Sequence, residues 1–337
     1  LINFLSRDDN LYKMYAYLLT DEFDNNKDVR KIRPLCLNVL TSESEKLGEK
    51  LADNKSYADN LIKFSSSKFS RDPIRCGYYS FLIESLARAS SGEILGSKFS
   101  FLANYLIINI DIMGLRQLFV KLVVNYTYPF QVSPKMIDNL INHMLKKEEN
   151  SNSDTNKKYT DLNSNAIYIS FAIHDILKRC PHLGSLFDIT NSFQTFLKIA
   201  IYNYNQTPIL SSTIFNCISI ILNNGSKNEE SSGNDEKEEI NLSDYENILN
   251  ISSNENPFTS NAATPEALKL FPKTASSLVI KMLRSELPTF VCDVVVSAIC
   301  QLSVEELQNL CTKFHLSSEI ISTYKDYKHR KTNGHFL

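Results

Sequence analysis

The sequence predicts an all-α protein built from stacked helix pairs. Three observations carry that expectation. Apolar residues recur at helical spacing along most of the 337-residue chain. Glycine contributes only nine residues, where ordinary usage would give roughly twice as many. No stretch shows the two-residue alternation of a half-buried strand. So few glycines count against folds that depend on tight turns or glycine-rich phosphate loops.

The helical elements follow in order. Leu11, Met14, Tyr15, Leu18 and Leu19 form the first apolar ladder, and Ile32, Leu35, Cys36, Val39 and Leu40 the next. The pattern returns at Ile137, Leu140, Ile141, Met144 and Leu145, then at Ile169, Ala172, Ile173, Ile176 and Leu177. Two later ladders run from Ile214 to Leu222 and from Val291 to Leu302. Each places an apolar stripe on one face that must bury against a neighbour. Ser42 with Glu45, and Ser303 with Glu306, have capping-box spacing. Thr264-Pro265-Glu266 sets a cap, a proline at the first helical position and an acid at the positive dipole end. Asp111 precedes another helix. Starts fall near residues 10, 28, 42, 56, 72, 97, 111, 134, 164, 191 and 211. Taken in pairs they repeat about every forty residues, the scale of HEAT and armadillo repeats. The expected architecture is an irregular HEAT/armadillo-like α-solenoid, with an irregular helical bundle as the plainer reading.

Three segments are expected: a helical repeat domain over 1–225, an acidic insertion over 226–261, and over 262–337 a C-terminal helical continuation of the same solenoid. The insertion holds nine acids against two bases, a net −7, which leaves +5 on the rest of a chain of net charge −2. It lacks the apolar residues to offset its ordering entropy and is expected to be disordered. Residues 148–163 read as a polar loop. A balance of 36 basic to 38 acidic residues excludes gripping nucleic acid by bulk charge, while the remaining +5 favours an acidic partner surface. The basic run from Lys325 to Lys331 reads as a solvated helix end. The most apolar stretch, Phe99 to Val124, is interrupted by Asn104, Asn109, Asp111, Arg116 and Lys121, so no membrane span is expected. Seven cysteines, none spaced C-x-x-C, read as reduced, buried hydrophobes. With no signal peptide visible, the cytoplasm is expected, with the nucleus as a further site. The opening Leu1 reads as the start of a piece of a longer protein.

No catalytic constellation is visible. The six histidines lack H-x-x-x-H spacing, and no P-loop, G-x-G-x-x-G or G-x-S-x-G is present. His174-Asp175 are adjacent on a helix and point about 100° apart, as a surface pair does. The Gly-Asp and Gly-Asn-His signatures of metallophosphatases are absent. The expectation is a non-enzymatic chain with no cofactor and no metal.

Several segments occur in a telling order. Leu1-Ile2-Asn3-Phe4-Leu5 opens the chain, and a helix ends at Leu18-Leu19-Thr20. Val29-Arg30-Lys31-Ile32-Arg33-Pro34 then runs into Asn38-Val39-Leu40-Thr41-Ser42. Lys50 to Asn54, Leu61 to Phe64, Gly77 to Phe81, Gly114 to Val123 and Asn163 to Ala166 follow. Together they resemble the SAPS-domain family, the regulatory subunits associated with protein phosphatase 6 and its yeast-type relatives. The resemblance covers about 1–225 and lies in order and separation, since each segment alone is mostly Leu and Ile at helical spacing. It departs at Gln117, where the family usually has an acid, and at Lys121, where it usually has Arg. It implies a repeat-like scaffold that holds a serine/threonine phosphatase catalytic subunit and recruits substrates or a further, ankyrin-type subunit. Nucleic acid and membrane are not expected partners.

Polar residues on otherwise apolar helices are the candidate contacts, because burial explains Leu but not Arg. These are Arg30, Arg33, Arg75, Arg116 and Lys121, together with Asn165. Arg is favoured at interface anchors, and solenoids present extended faces to partners. Each of the five cations also reads as ordinary solvated helix face, and Asn165 as a helix cap. Two other classes stay open: a generic HEAT/armadillo adaptor binding peptides or cargo, and a helical enzyme whose site assembles from distant residues.

Overall fold

A computed structural model describes residues 1–26, 28–146, 159–187, 192–203, 206–226 and 312. Helices are the only regular elements among the described residues, apart from an isolated antiparallel bridge between Leu145 and Leu162. The chain divides into two compact units, Leu1–Cys180 and Pro181–Leu337.

The first unit contains α1 (Ile2–Leu5), α2 (Asp8–Leu19), α3 (Val29–Leu40), α4 (Glu45–Asp53), α5 (Lys55–Phe64) and α6 (Pro73–Ala89). It continues with α7 (Glu93–Ser97), α8 (Leu102–Ile108), α9 (Met113–Asn125), α10 (Pro134–Met144) and α11 (Ala166–Arg179). Local chemistry explains several starts. Asn54 accepts the Tyr57 N–H at 2.7 Å, and Asp72 accepts the Arg75 N–H at 2.9 Å, each satisfying an orphan donor. Pro73 and Pro134 stand at the first helical position, where no N–H is needed.

Helices α3, α6, α9 and α11 form a row in which each packs on the next. Neighbours run in the same direction. Ser85 donates to the Leu40 carbonyl at 3.4 Å and Arg88 to the Thr41 carbonyl at 3.1 Å, while the other ends of α3 and α6 meet where Arg33 and Arg75 share Asp24. Gly114 of α9 meets Gly77 of α6, and seven residues further along both helices Lys121 meets Glu84. The start of α11 lies by the start of α9, since Asn165 donates to the Ile108 carbonyl at 3.1 Å and Arg116 lies over the Tyr168 ring. α2 backs α3 and α6, α4 packs on α6, α8 on α9, and α10 on α11. Side-chain hydrogen bonds between elements recur at similar sequence separations: 47 for Lys50 to Asn3, 46 for Lys98 to Ala52, 40 for Arg71 to Asp111 and 37 for Lys121 to Glu84.

The core lies between the row and its backing helices. Phe64 of α5 stacks on Tyr79 of α6 with centroids 4.7 Å apart, and Tyr79 meets Tyr105 of α8 edge-on at 5.9 Å. Truncating such a ring to Ala costs about 3–5 kcal/mol. Cys36, Cys76 and Cys217 are buried and Cys180 is half-buried, all as free thiols. Burial pushes the Cys76 thiol up to about 11, which keeps it in the unreactive protonated form. No helix among the described residues is long and apolar enough to cross a membrane.

In the second unit a 3-10 helix, Pro181–Leu186, precedes α12 (Gln194–Tyr202) and α13 (Pro208–Ser226). α13 packs on both. A Cβ at Gly184 would lie 3.2 Å from Ile221, so glycine permits this close approach.

Three ladders bury throughout, with every residue named above from Leu11 to Leu19, Ile137 to Leu145, and Ile169 to Leu177 inside; in the next, Ile214, Cys217 and Ile218 are buried and Ile221 is half-buried. The ladder on α3 does not. Cys36 and Leu40 are buried, but Ile32 and Leu35 face solvent, and the inward stripe is Val29, Cys36 and Leu40. The Ser42 capping box does not form: α4 starts three residues later, with Ser44 at its N-cap position. Asp111 accepts from Arg71 instead of capping α9, whose N-cap is Ile112. The start expected near 97 is the end of α7, and the chain turns before α8. Within the expected 148–163 loop, the described residues 159–163 include the Leu162 bridge partner. Residues 147–158, the Thr264 and Ser303 start signals, the Val291 to Leu302 ladder and the 226–261 insertion beyond Ser226 lie outside the described residues, as does all but Thr312 of 262–337.

The close approach of α6 and α9 makes an opposed pair of predictions. A Cβ at Gly114 would sit 3.2 Å from Gly77 Cα, so Gly114→Val should destabilise by about 1–3 kcal/mol. A Cβ at Gly77 meets nothing within 4 Å, so Gly77→Ala should stabilise by about 0.5–1 kcal/mol through helix propensity. Urea unfolding of both variants measures the two signs.

Candidate partner-binding site

The six candidate contacts all lie on the α3–α6–α9–α11 row or at the start of its last helix. They divide into two groups. Arg30, Arg33 and Arg75 come together around the end of α2; Arg116, Lys121 and Asn165 lie along α9.

The first group is built on orphan carbonyls. The last carbonyls of a helix lack intrahelical donors and carry the negative end of its dipole. Arg33 Nε donates to the Tyr17 carbonyl at 2.7 Å, and Arg75 donates to the Thr20 carbonyl at 3.2 Å. The Asp24 carboxylate, on the loop that follows α2, bridges the two guanidiniums, accepting from Arg33 through one oxygen and from Arg75 through the other at 2.5 Å. Asp72 accepts a further hydrogen bond from Arg75 at 3.1 Å. The Arg75 guanidinium also lies 4.1 Å from the Phe69 ring centroid, a cation–π contact. Burial raises the Asp24 carboxyl, but the hydrogen bonds and positive charges of Arg33 and Arg75 outweigh it and hold it below its ordinary 3.8.

A cavity of about 260 Å³ opens beside this node. Arg30, Arg33 and Arg75 line it with Asp24 and Asp72, and Leu18, Ile74 and Tyr78 supply its apolar lining. Ligand pockets usually run from about 300 to 1,000 Å³. This one has room for one or two side chains.

The second group stitches the row together. Lys121 holds both oxygens of Glu84, at 2.8 and 2.7 Å. Arg116 donates weakly to the Ile110 carbonyl at 3.4 Å and lies 5.2 Å from the Tyr168 ring centroid. Asn165 stands at the N-cap position of α11, but its side chain makes no cap bond and reaches the Ile108 carbonyl. Five of the six candidates therefore hold neighbouring elements together. Arg30 is exposed and, among the described residues, has no hydrogen-bond or ion-pair partner.

Sequence reasoning missed Asp24, Asp72, Ile74 and Tyr78. Asp72-Pro73 carried a cap-and-proline signal for a helix start, though not for an ion pair. Nothing in the sequence marks Asp24 as the partner of an arginine 51 residues away. His174 and Asp175 stand 3.9 Å apart and partly exposed, too far for a hydrogen bond. Among the described residues no group of three His, Cys, Asp or Glu side chains could hold a metal ion. No protein-family model, no curated protein and no solved structure matches the chain.

Asp24→Ala tests the node. It removes the shared counter-charge of two partly buried arginines, so stability at pH 7 should fall by about 1–2 kcal/mol, a figure reduced because Asp24 is 39% exposed. The folded carboxyl ionises more readily than the unfolded one, so its contribution is full above the ordinary 3.8 and is lost as pH falls through the lower folded value. The gap between the wild-type chain and Asp24→Ala in urea should therefore close below about pH 4.

Proposed function

We propose that the chain is a non-catalytic α-solenoid scaffold of the HEAT/armadillo type. The row of four like-directed helices, each backed by others, supports this reading. So does the recurrence of inter-element hydrogen bonds at sequence separations of 37 to 47, close to the length of such repeats.

More narrowly, the chain is a regulatory subunit of a protein phosphatase 6-like holoenzyme. The observation that carries this step is the order of segments from Leu1-Ile2-Asn3-Phe4-Leu5 to Asn163-Ser164-Asn165-Ala166, which resembles the SAPS-domain family. In this reading the scaffold positions a serine/threonine phosphatase catalytic subunit in the cytoplasm, and in the nucleus where that subunit occurs there. The metals and bases belong to the catalytic partner, and substrate choice follows from the extended contact area. A standard interface buries about 1,600 Å² in total, and a row of four helices offers that area. A peptide-binding adaptor is the second reading, favoured by a cavity sized for one or two side chains.

Affinity purification of the tagged full chain from native lysate, with mass spectrometry of stoichiometric partners, separates these readings. A serine/threonine phosphatase catalytic chain is the expected partner. Cargo proteins without such a chain would overturn the phosphatase reading in favour of the adaptor, and hydrolase turnover by the purified chain alone would overturn both.

A further inference from the structure

The cavity beside the Asp24 node has an uneven charge. Three arginines and two aspartates line it, a net +1. Arg33 and Arg75 are committed to Asp24 and Asp72, so the uncommitted charge is that of Arg30. Lys31, next to it on α3, is also exposed and has no partner among the described residues. Asp28, at the N-cap of α3, does not line the cavity. The Arg75 Nε is buried without an acceptor.

Ile74 of the cavity lining is 67% exposed, and Leu35 on α3 and Phe81 on α6, outside that lining, are 63% and 52% exposed. Ile74, Tyr78 and Phe81 follow at i, i+4 and i+7, so they share one face of α6. Exposed apolar strips with a charged rim are characteristic of interaction surfaces.

We propose that this cavity and strip bind an extended segment of another protein in which a Glu or Asp lies next to a large apolar side chain. The carboxylate meets Arg30, and the apolar side chain seats against Ile74 and Tyr78. Charge complementarity selects the ligand. One uncommitted guanidinium at the cavity suits a monoanionic carboxylate; a phosphorylated side chain carries nearly two charges and would face Asp24 and Asp72 with a single free arginine. The cavity volume admits side chains and excludes a bulky cofactor. The proposal does not depend on the phosphatase reading, since it concerns the chemistry of the segment and not the identity of the protein that carries it.

The test is to pan a phage-displayed library of random peptides on the full chain, then measure the selected peptides by fluorescence polarisation. The expected consensus places an acid beside Leu, Ile, Phe or Trp. Arg30→Glu and Ile74→Ser should each weaken binding at least tenfold, while Arg30→Lys keeps most of it. Urea unfolding should show Arg30→Glu folded as the wild type, since Arg30 makes no hydrogen bond or ion pair among the described residues. A basic consensus, or binding untouched by Arg30→Glu and Ile74→Ser, would overturn the proposal. So would a tenfold gain when the acid is replaced by phosphoserine. Binding that emerges only after deletion of residues 227–261 would also overturn it, by making this chain's own acidic segment the occupant.

Discussion

One carboxylate, Asp24, holds the ends of three helices in place. Arg33 and Arg75 approach the C-terminal carbonyls of α2, which supply hydrogen-bond acceptors but only a fraction of a charge. Both side chains are largely buried, at 19% and 12% exposed. A guanidinium taken that far from water needs a full counter-charge, or its desolvation outweighs what its hydrogen bonds return. Asp24 provides it to both at once, and Asp72 adds a second carboxylate to Arg75. Because Arg33 belongs to α3 and Arg75 to α6, the bridge fixes the first pair of the row at the end of α2. Phe69 completes the arrangement by covering the face of the Arg75 guanidinium.

From α6 onward the row is held by a different device. Gly114 lets the two backbones approach until a Cβ on it would press against the Gly77 Cα at 3.2 Å. That contact sets the separation, and the Lys121–Glu84 pair one heptad along sets the register. Arg116 over Tyr168 and Asn165 at the Ile108 carbonyl do the same for α11. Exposed ion pairs contribute little to stability, typically below about 1 kcal/mol. Here their effect is directional: they permit one alignment of neighbouring helices and disfavour slipped ones.

The helices were legible in the sequence because apolar spacing is a local signal. Leu11 to Leu19 and Ile169 to Leu177 bury as their ladders require. The α3 ladder shows where that signal stops. Val29, Cys36 and Leu40 also lie on one helical face, so α3 carries two overlapping apolar stripes, and spacing cannot say which faces the core. Local hydrogen-bonding patterns were weaker guides still. Ser42 and Asp111 have the right residue types for caps, but the chain starts α4 at Glu45, and Arg71 takes the Asp111 carboxylate for a tertiary pair. The arginine-bearing helices could be named from residue type. Their division into a node, a set of stitches and one candidate, Arg30, with no partner among the described residues depends on contacts as much as 57 residues apart, which no local pattern encodes.

That division also decides which cation can serve a partner. An external carboxylate reaching Arg33 or Arg75 must displace Asp24, which is tethered nine residues from Arg33 and competes at a high effective concentration, on the millimolar scale or above. A partner present at micromolar levels loses that competition unless its other contacts are strong. Arg30 imposes no such cost, because no internal carboxylate must leave before it binds. Its exposure lowers the energy of any single contact it makes. The neighbouring apolar strip compensates: an apolar side chain seated against Ile74 and Tyr78 excludes water from the Arg30 pair and strengthens it, as rim contacts do around a buried anchor. Charge and apolar strip are therefore useful only together, and they adjoin at the cavity beside the Asp24 bridge.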